Sequence, residues 1–391
     1  MNTQSSEKRA TGQPLTAIVL PGGGARGAYQ AGVLKAIAEV VPQGRNPFPV
    51  ICGVSAGAIN AAVLASHAHE FRHGVERLVE FWASMFCGRI YRTDAASVLR
   101  SVAQWAASLL LGGKLIPHPR SLLDNHPLEN FLTANLQLDG IRTAIDCGQL
   151  KGVAVTASGY TCAAAVSYFQ AETGIQPWVR ARRQGRPAVL SVDHLLASAA
   201  LPLIFPARKI GHEYFGDGGM RMITPLSPAI HLGADRILVI STRDEKPDPS
   251  PNEDTPYPSL GGIGGYLLDT IFMDTLNADL NRLNRINHTL SLIDPNHRAD
   301  TGLKNIDSLV IRPSRDVRVV TQEHVREIPH AVRLLLRSLG GWGKDWRLAS
   351  YLLFEAAYCQ ELIDLGYRDG MAMRNELSGF LAGGEAPTGR C

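Results

Sequence analysis

The sequence predicts an α/β protein built on a mostly parallel sheet, and three observations lead to this fold class. An apolar run at 16–20, typical of a buried strand, leads directly into a cluster of glycines. Apolar residues at helical spacing follow over 28–41, then a second strand-like run at 50–53 and a helix of small residues at 56–68. This order of strand, loop, helix, strand and helix begins a parallel sheet with right-handed crossovers.

Elements further along the chain continue the alternation. Residues 1–15 predict a disordered tail, and the five prolines and several acids between 244 and 258 predict an exposed loop. One predicted helix, 266–290, gathers Phe272, Leu276, Leu280, Leu283 and Leu290 on a face expected to pack in the core. Further strands are expected at 152–157, 163–169, 236–241 and 308–311, and helices at 76–86, 192–200, 266–290, 324–338 and 346–365.

Composition and charge restrict the class of protein. The 391 residues are 45% hydrophobic and 19% charged, which is typical of a globular chain, and the net charge of +3 comes from scattered basic residues, so no nucleic acid partner is expected. Six cysteines without paired spacing favour reduced thiols and a cytoplasmic setting over a disulfide framework. The polar N-terminus contains no Sec-type signal, and no apolar run of about 18 residues occurs, so any membrane contact is expected to be peripheral.

The glycine-rich loop after the first strand has more than one interpretation. It matches G-x-G-x-x-G, but the next strand ends without the acid that would bind a ribose, so a nicotinamide cofactor is not expected. Consecutive glycines can instead direct several backbone N–H groups at an oxyanion, with Arg26 adding positive charge or anchoring the loop. A tight packing turn also fits the pattern. The loop consists of Gly22, Gly23, Gly24, Ala25, Arg26 and Gly27.

A serine elbow is predicted at Ser55. The residues Gly53-Val-Ser-Ala-Gly57 form G-x-S-x-G between a predicted strand and a predicted helix, and the flanking glycines remove side chains that would collide with the serine. A lone copy of this pattern is often coincidence, but its position at a strand-to-helix junction favours a nucleophile. If the first two strands are neighbours, Ser55 and the 22–27 loop emerge at the same sheet edge.

The base for Ser55 is sought first among the histidines, and none has a convincing position. Asp217 differs from them, because it ends a strand-like aromatic segment, 214–216, and is surrounded by glycines. A surface turn would also explain this Asp-Gly pair. The segment 197–206, a small-residue helix end followed by a Pro-bounded apolar turn, is suited to placing Asp217 in a dry cleft. The histidines considered are His118, His126, His194, His212, His231, His288, His297, His324 and His330.

Four ordered blocks, 22–27, 53–57, 197–206 and 217–219, resemble the patatin-like phospholipase family. The resemblance covers roughly 16–230. It implies a three-layer α/β/α sandwich, a Ser55–Asp217 dyad, an oxyanion site from the 22–27 loop, and hydrolysis of lipid acyl esters of the phospholipase A or lysophospholipase type. With it, a catalytic domain is expected at 16–320 and a helical C-terminal extension at 321–391.

Other functions stay open at this point. An acyltransferase or a thioesterase would use the same acyl-serine, and a lipid-binding protein without activity would share the fold. The apolar stretch containing Trp105, Leu109, Leu110, Leu111 and Ile116 is interpreted either as buried core or as a lid that meets lipid. No metal-ligand spacing appears, so no metal or other cofactor is predicted, and no oligomeric state is predicted.

Overall fold

Ten strands form one sheet in the residues described by the computed structural model, 14–110, 120–245, 257–343 and 345–382. Residues 1–13 of the predicted tail and residues 246–256 of the predicted exposed loop lie outside this part of the chain. In chain order the strands are β1 (Thr16–Leu20), β2 (Val50–Val54), β3 (Gly152–Gly159), β4 (Ala165–Ala171), β5 (Trp178–Arg180), β6 (Arg183–Pro187), β7 (Arg208–Ile210), β8 (Glu213–Asp217), β9 (Arg236–Ile240) and β10 (Asp307–Ile311).

The sheet is parallel at its centre. Strands β10, β9, β1, β2 and β3 follow one another in parallel, after which β4 pairs antiparallel with β3, and β6 and β5 complete the edge. A short hairpin of β7 and β8 joins through an antiparallel pairing of β8 with β3. The mostly parallel sheet predicted from the sequence is therefore confirmed.

Helices surround the sheet, and sixteen are described. They are α1 (Gly27–Val40), α2 (Ala56–Ser66), α3 (Phe71–Ala83), α4 (Cys87–Ile90), α5 (Ala95–Leu110), α6 (His126–Asn135), α7 (Gly140–Asp146), α8 (Val192–Ser198), α9 (Ser227–His231), α10 (Leu260–Asp269), α11 (Thr275–Leu292), α12 (Val317–His324), α13 (His330–Ser338), α14 (Arg347–Leu352), α15 (Ala356–Ala372) and α16 (Arg374–Ala382).

Alternation along β1 shows how the sheet separates two layers of helices. Ile18 and Leu20 belong to a core cluster with α1, α2, α3 and α15, whereas Ala17 and Val19 belong to a second cluster with α9 and α11. Because successive side chains of a strand point to opposite faces, both faces of this strand are buried against helices. The three-layer α/β/α arrangement is the result.

Three of the predicted helices differ from those observed. The helix predicted at 324–338 is interrupted before His330, because Pro329 lacks an amide hydrogen and disfavours helical geometry in the residue before it. The helix predicted at 346–365 is two helices, α14 and α15. The helix predicted at 266–290 begins at Leu260 and contains a π-helical turn at 270–274, so Phe272 packs in a different core cluster from Leu276.

The C-terminal helix α15 packs directly on α1. A β-carbon added at Gly32 would collide with the carbonyl oxygen of Ile363, and one added at Gly366 would collide with that of Tyr29. Tyr29 also donates a hydrogen bond through its hydroxyl to Asp369 at 3.0 Å. The described C-terminal helices therefore share a core with the segment that follows the glycine loop.

The cysteines depart in one position from the expectation of reduced thiols. Cys52, Cys87, Cys162 and Cys359 are free, and three of the four are buried. Cys147 is disulfide-bonded, so the expectation fails at this residue. Over the described residues, none of the helices has the length and apolar character that crossing a membrane requires.

Candidate active site

The two predicted loops leave neighbouring strands at one edge of the sheet. Strand β1 pairs in parallel with β2, with Leu20 opposite Gly53, so the glycine loop and the serine turn both follow the carboxyl ends of their strands. A β-carbon added at Gly22 would lie 2.9 Å from Cβ of Ser55. The fold thus brings the 22–27 loop against the side chain of Ser55.

Ser55 has a strained backbone. Its φ of 55° and ψ of −128° lie in a region that residues with a side chain rarely occupy. The turn around it is closely packed, because a β-carbon at Gly57 would overlap the carbonyl oxygen of Leu20 and one at Gly53 would overlap that of Gly57. Helix α2 begins at the next residue, so Ser55 stands at a helix N-terminus, where negative charge is stabilised.

Ser198 fixes the backbone of the turn at Ser55, a role that the sequence did not suggest. Its hydroxyl accepts a hydrogen bond from the Ser55 amide at 2.9 Å and donates one to the Thr156 carbonyl at 2.6 Å. Ser198 lies within the 197–206 segment, which was expected only to position Asp217. That segment also contacts Asp217, since the Ala200 carbonyl accepts a hydrogen bond from the Asp217 amide at 2.9 Å.

Asp217 is fully buried, and only one of its two carboxylate oxygens accepts a hydrogen bond. It ends β8, opposite Ala157 of β3. Its Oδ1 accepts a hydrogen bond from the Gly219 amide at 2.9 Å, whereas Oδ2 has no hydrogen bond within ordinary geometric limits. The Ser55 side chain is near enough to stabilise the carboxylate, but burial has the larger effect and raises the pKa of Asp217 to about 7. The carboxylate is therefore poised to accept a proton near neutral pH.

The glycine loop presents unused donors. The buried amides of Gly22 and Gly23 donate to no acceptor among the described residues. Buried amides without a partner are rare in folded proteins, so two in succession beside Ser55 suit a ligand oxygen. A carbonyl of the loop holds it in place, because the Thr242 hydroxyl donates a hydrogen bond to the Gly22 carbonyl at 3.0 Å.

Arg26 anchors this loop. Its guanidinium is buried, and Nε and Nη2 donate to the Ser350 hydroxyl at 2.9 and 2.6 Å. Nη1 donates to Asp269 at 3.1 Å and to the Tyr351 hydroxyl at 3.2 Å, and the guanidinium lies 4.0 Å from the Tyr351 ring centre. Of the two roles considered for Arg26, the structure supports anchoring, since these contacts bind the 22–27 loop to α14.

Asp269 is the centre of a buried ionic cluster around that anchor. One carboxylate oxygen contacts Arg26 and accepts a hydrogen bond from the Tyr351 hydroxyl at 2.7 Å. The other lies 3.3 Å from Arg243 and 3.4 Å from Arg347. One carboxylate among three guanidinium groups is well compensated. Helix α10, helix α14 and the glycine loop are thereby joined at one point.

Two aromatic side chains border the site. Phe272, in the π-helical turn after α10, covers the backbone of the glycine loop and of the turn that follows β8, because β-carbons at Gly22 and Gly219 would both fall within 3 Å of its ring. Tyr160 lies on the other side of Asp217, next to Gly216, and burial followed by the charge of Asp217 raises the pKa of its phenol. The core packing expected for Phe272 is observed, but the π-helical turn places it in a different core cluster from Leu276 and beside the glycine loop.

None of the described histidines forms a hydrogen bond with Ser55. His194 contacts Ser191 at 2.8 Å in a helix cap, and burial lowers the pKa of its ring. His231 and His324 contact Ser227 and Glu361, and His118 lies outside the described residues. The apolar stretch around Trp105 falls partly in α5, with Leu111 and Ile116 outside the described residues.

Comparisons with known proteins cover about half of this chain in two cases and most of it in a third. The family model of patatin-like phospholipases matches residues 18–230. The lysophospholipase NTE1 of Chaetomium globosum is 26% identical over 253 residues, which cover 50% of this chain, and the match spans only 16% of that protein's length. The crystal structure of VipD from Legionella pneumophila aligns over 93% of this chain and 67% of its own, at 12% identity and a TM-score of 0.35.

Proposed function

The chain belongs to the patatin-like phospholipase family, and from this premise we propose that it is a serine lipid acyl hydrolase in which Ser55 is the nucleophile and Asp217 the base. One observation carries the proposal: the unpaired carboxylate oxygen of Asp217 is buried beside the strained Ser55. A serine needs a neighbouring base to become a nucleophile, and a carboxylate of ordinary pKa is a weak one. Burial supplies the missing basicity.

In the first half of the reaction, Ser55 Oγ attacks the ester carbonyl carbon while its proton passes to Asp217 Oδ2. The carbonyl π electrons move onto oxygen, and a tetrahedral oxyanion forms. When this intermediate collapses, the bond from carbon to the alcohol oxygen breaks, and the protonated Asp217 returns the proton to the departing lysolipid or alcohol. An acyl-serine remains.

In the second half, water replaces the alcohol. Asp217 accepts a proton from the water while the water oxygen attacks the carbonyl carbon of the acyl-serine, and a second oxyanion forms. When this oxyanion collapses, the bond from carbon to Ser55 Oγ breaks, and Asp217 returns the proton to Oγ. The fatty acid leaves. One carboxylate thus serves both halves without a histidine.

The amides of Gly22 and Gly23 are proposed to bind the oxyanion in both halves. They are buried and unpaired, and Gly22 is close to Ser55. Donors fixed before reaction stabilise developing charge without reorganising, which is worth about 10²- to 10³-fold per donor in related sites. The N-terminus of α2 adds to the same field.

The substrate class rests on the family. Lipid acyl esters, with phospholipids and lysophospholipids as first candidates, are proposed because the family is one of phospholipases and because the fungal relative is named a lysophospholipase. A screen of phospholipids, lysophospholipids, triacylglycerols and short p-nitrophenyl esters would define the headgroup and chain length.

The deciding experiment is Ser55→Ala against the control Ser291→Ala, which removes an exposed hydroxyl on α11. We expect Ser55→Ala to lower ester turnover by about 10³-fold or more and to abolish labelling by a fluorophosphonate probe, with unchanged circular dichroism. Ser291→Ala should behave as wild type. Full turnover by Ser55→Ala would refute the nucleophile, and a wild type that is neither labelled nor active would indicate a lipid-binding protein instead.

A further inference from the structure

Helix α10 exposes four large apolar side chains, and two of its glycines face the interior. From Tyr257 to Leu268 the chain has no charged residue. The exposed side chains are Leu260 at 74%, Ile263 at 39%, Tyr266 at 59% and Leu267 at 52%. The buried positions are Gly261, Gly265, Leu268 and Asp269. A helix at the surface of a globular protein normally has the opposite arrangement, so this face is suited to a partner that is itself apolar.

The helix is held firmly by its buried side. A β-carbon at Gly261 would collide with the Gly341 amide, and one at Gly265 would lie 2.7 Å from Cβ of Arg347. Ser259 caps the helix, accepting a hydrogen bond from the Gly262 amide at 3.0 Å and donating one to the Gly340 carbonyl at 2.7 Å. The apolar face therefore belongs to a fixed helix.

The helix that carries this face leads directly to the candidate active site. Helix α10 passes without a break into the π-helical turn, whose Phe272 covers Gly22 and Gly219 beside Ser55. Asp269, at the end of α10, contacts Arg26 of the glycine loop. Phe272, beside the loop that contacts Ser55, is therefore only five residues beyond Leu267, the last exposed apolar side chain of α10.

Aromatic and basic side chains border the N-terminal end of α10. Trp342 follows Gly341, and the guanidinium groups of Arg333 and Arg337 lie 5.7 and 4.9 Å from its ring centre. Trp346 packs edge-on against Trp342 at 5.2 Å. Tryptophan and arginine beside exposed apolar side chains match the interface of a bilayer, where the rings lie at headgroup depth and the cations meet anionic lipids.

We propose that α10 is a lipid-docking helix that lies in the surface of a bilayer containing anionic lipids. Leu260, Ile263 and Tyr266 enter the acyl-chain boundary, and the exposed Arg337 contacts the headgroups. The proposal rests on the proposed function for the identity of the lipid as substrate. Docking itself can be measured without hydrolysis.

The test is co-sedimentation with phosphatidylcholine vesicles, with and without phosphatidylserine, using the full chain and its Ser55→Ala variant. The double variant Leu260→Glu/Ile263→Glu places charges on the face, and Leu292→Glu, which changes a side chain that is 75% exposed on α11, is the matched control. We expect the affinity of the double variant for the mixed vesicles to fall by about tenfold or more. The control should bind as wild type does. Tyr266→Glu alone provides a second, milder variant.

Arg337→Glu should weaken binding to the mixed vesicles and leave binding to phosphatidylcholine unchanged. For hydrolysis, the double variant should lose turnover of vesicle lipid and retain turnover of a short, water-soluble ester. If no form hydrolyses any ester but docking depends on α10, the proposed function fails and the docking helix stands.

Equal binding by wild type and both face variants would overturn the inference. So would a wild type that ignores vesicles and forms dimers in sedimentation velocity that the double variant abolishes, since the face would then belong to a second copy of the chain.

Discussion

Asp217 is distinguished at the residue scale by its surroundings rather than by its chemistry. An exposed aspartate next to glycine is an ordinary turn residue, whereas this one is fully buried with one unpaired oxygen. The cost of burying its charge is what raises its pKa to about 7. Two predictions follow at this scale, one for catalysis and one for stability.

The activity should depend on the ionised form of Asp217. For an uncharged short-chain ester, kcat/KM is expected to rise with pH through an apparent pKa of about 7 and to level off above it, because only the carboxylate can accept the Ser55 proton. A pH profile from about 5 to about 9 measures this. Asp217→Asn should be nearly inactive at every pH, and a fully active Asp217→Asn protein would transfer the role of base elsewhere.

The same group should reduce stability at neutral pH. Its folded pKa is raised above its unfolded value, so its contribution to stability is complete below the unfolded pKa and is lost as pH rises through about 7. Asp217→Asn avoids this cost, and its gain in unfolding free energy over wild type should grow from near pH 4 to pH 7, to the order of 4 kcal/mol.

Urea denaturation of both proteins at several pH values measures that difference. A gain that does not change with pH would mean that the carboxylate is hydrated in the folded protein. The expected combination of higher stability and lost activity is the usual exchange at a strained active site.

At the scale of elements, the glycine loop depends on a helix far away in sequence. Ser350 of α14 binds two nitrogens of Arg26. Ser350→Ala should lower kcat by about tenfold with little change in KM, because the loop amides would be less well fixed while the surface that meets substrate is unchanged. Steady-state kinetics on a soluble ester measures the two constants separately.

Ser291→Ala is the control for this prediction as well. Both hydroxyls donate to the carbonyl three residues earlier in their helices. The Ser291 hydroxyl is exposed and, unlike that of Ser350, accepts no hydrogen bond from an arginine among the described residues. Two outcomes would argue against a positioning role for Ser350. One is an equal fall in kcat for both variants, and the other is a Ser350→Ala protein in which KM changes and kcat does not.

The sequence predicted the elements that depend on local pattern. Strands β1 and β2, the glycine loop and the helix after Ser55 follow from short runs whose spacing is visible in the chain. The break before His330 was also accessible, because Pro329 stood inside the predicted helix. The π-helical turn was not, since nothing in the periodicity of 266–290 distinguishes an inserted residue from a regular face.

Hydrogen bonds between distant segments could not be predicted from the sequence. Ser198 supports Ser55 from 143 positions away, and nothing in a run of small residues specifies that contact. The unpaired state of Asp217 Oδ2 likewise depends on what the fold leaves out of reach. Motif order led to the prediction that Ser55, Asp217 and the 22–27 loop lie together, whereas the hydrogen bonds around each of them required the coordinates.

For the molecule as a whole, the close packing of α15 on α1 is expected to determine stability. Gly366→Ala places a β-carbon against the Tyr29 carbonyl and should destabilise the protein by about 3 kcal/mol, because two backbones must separate. Gly379→Ala, in α16 with open space around it, is the control and should be neutral or stabilising by up to about 1 kcal/mol. Thermal melts measure both, and equal melting temperatures would contradict the close packing.

The contact between Arg26 and Ser350 spans 324 positions. Proteins are synthesised from the N-terminus, so Ser55 and the glycine loop emerge from the ribosome long before the helix that anchors them. A nascent chain would contain Ser55, the proposed nucleophile, before the anchor that fixes the glycine loop. The order of translation would therefore delay the proposed chemistry until α14 has been made, which would spare nearby membranes during synthesis of the preceding segments.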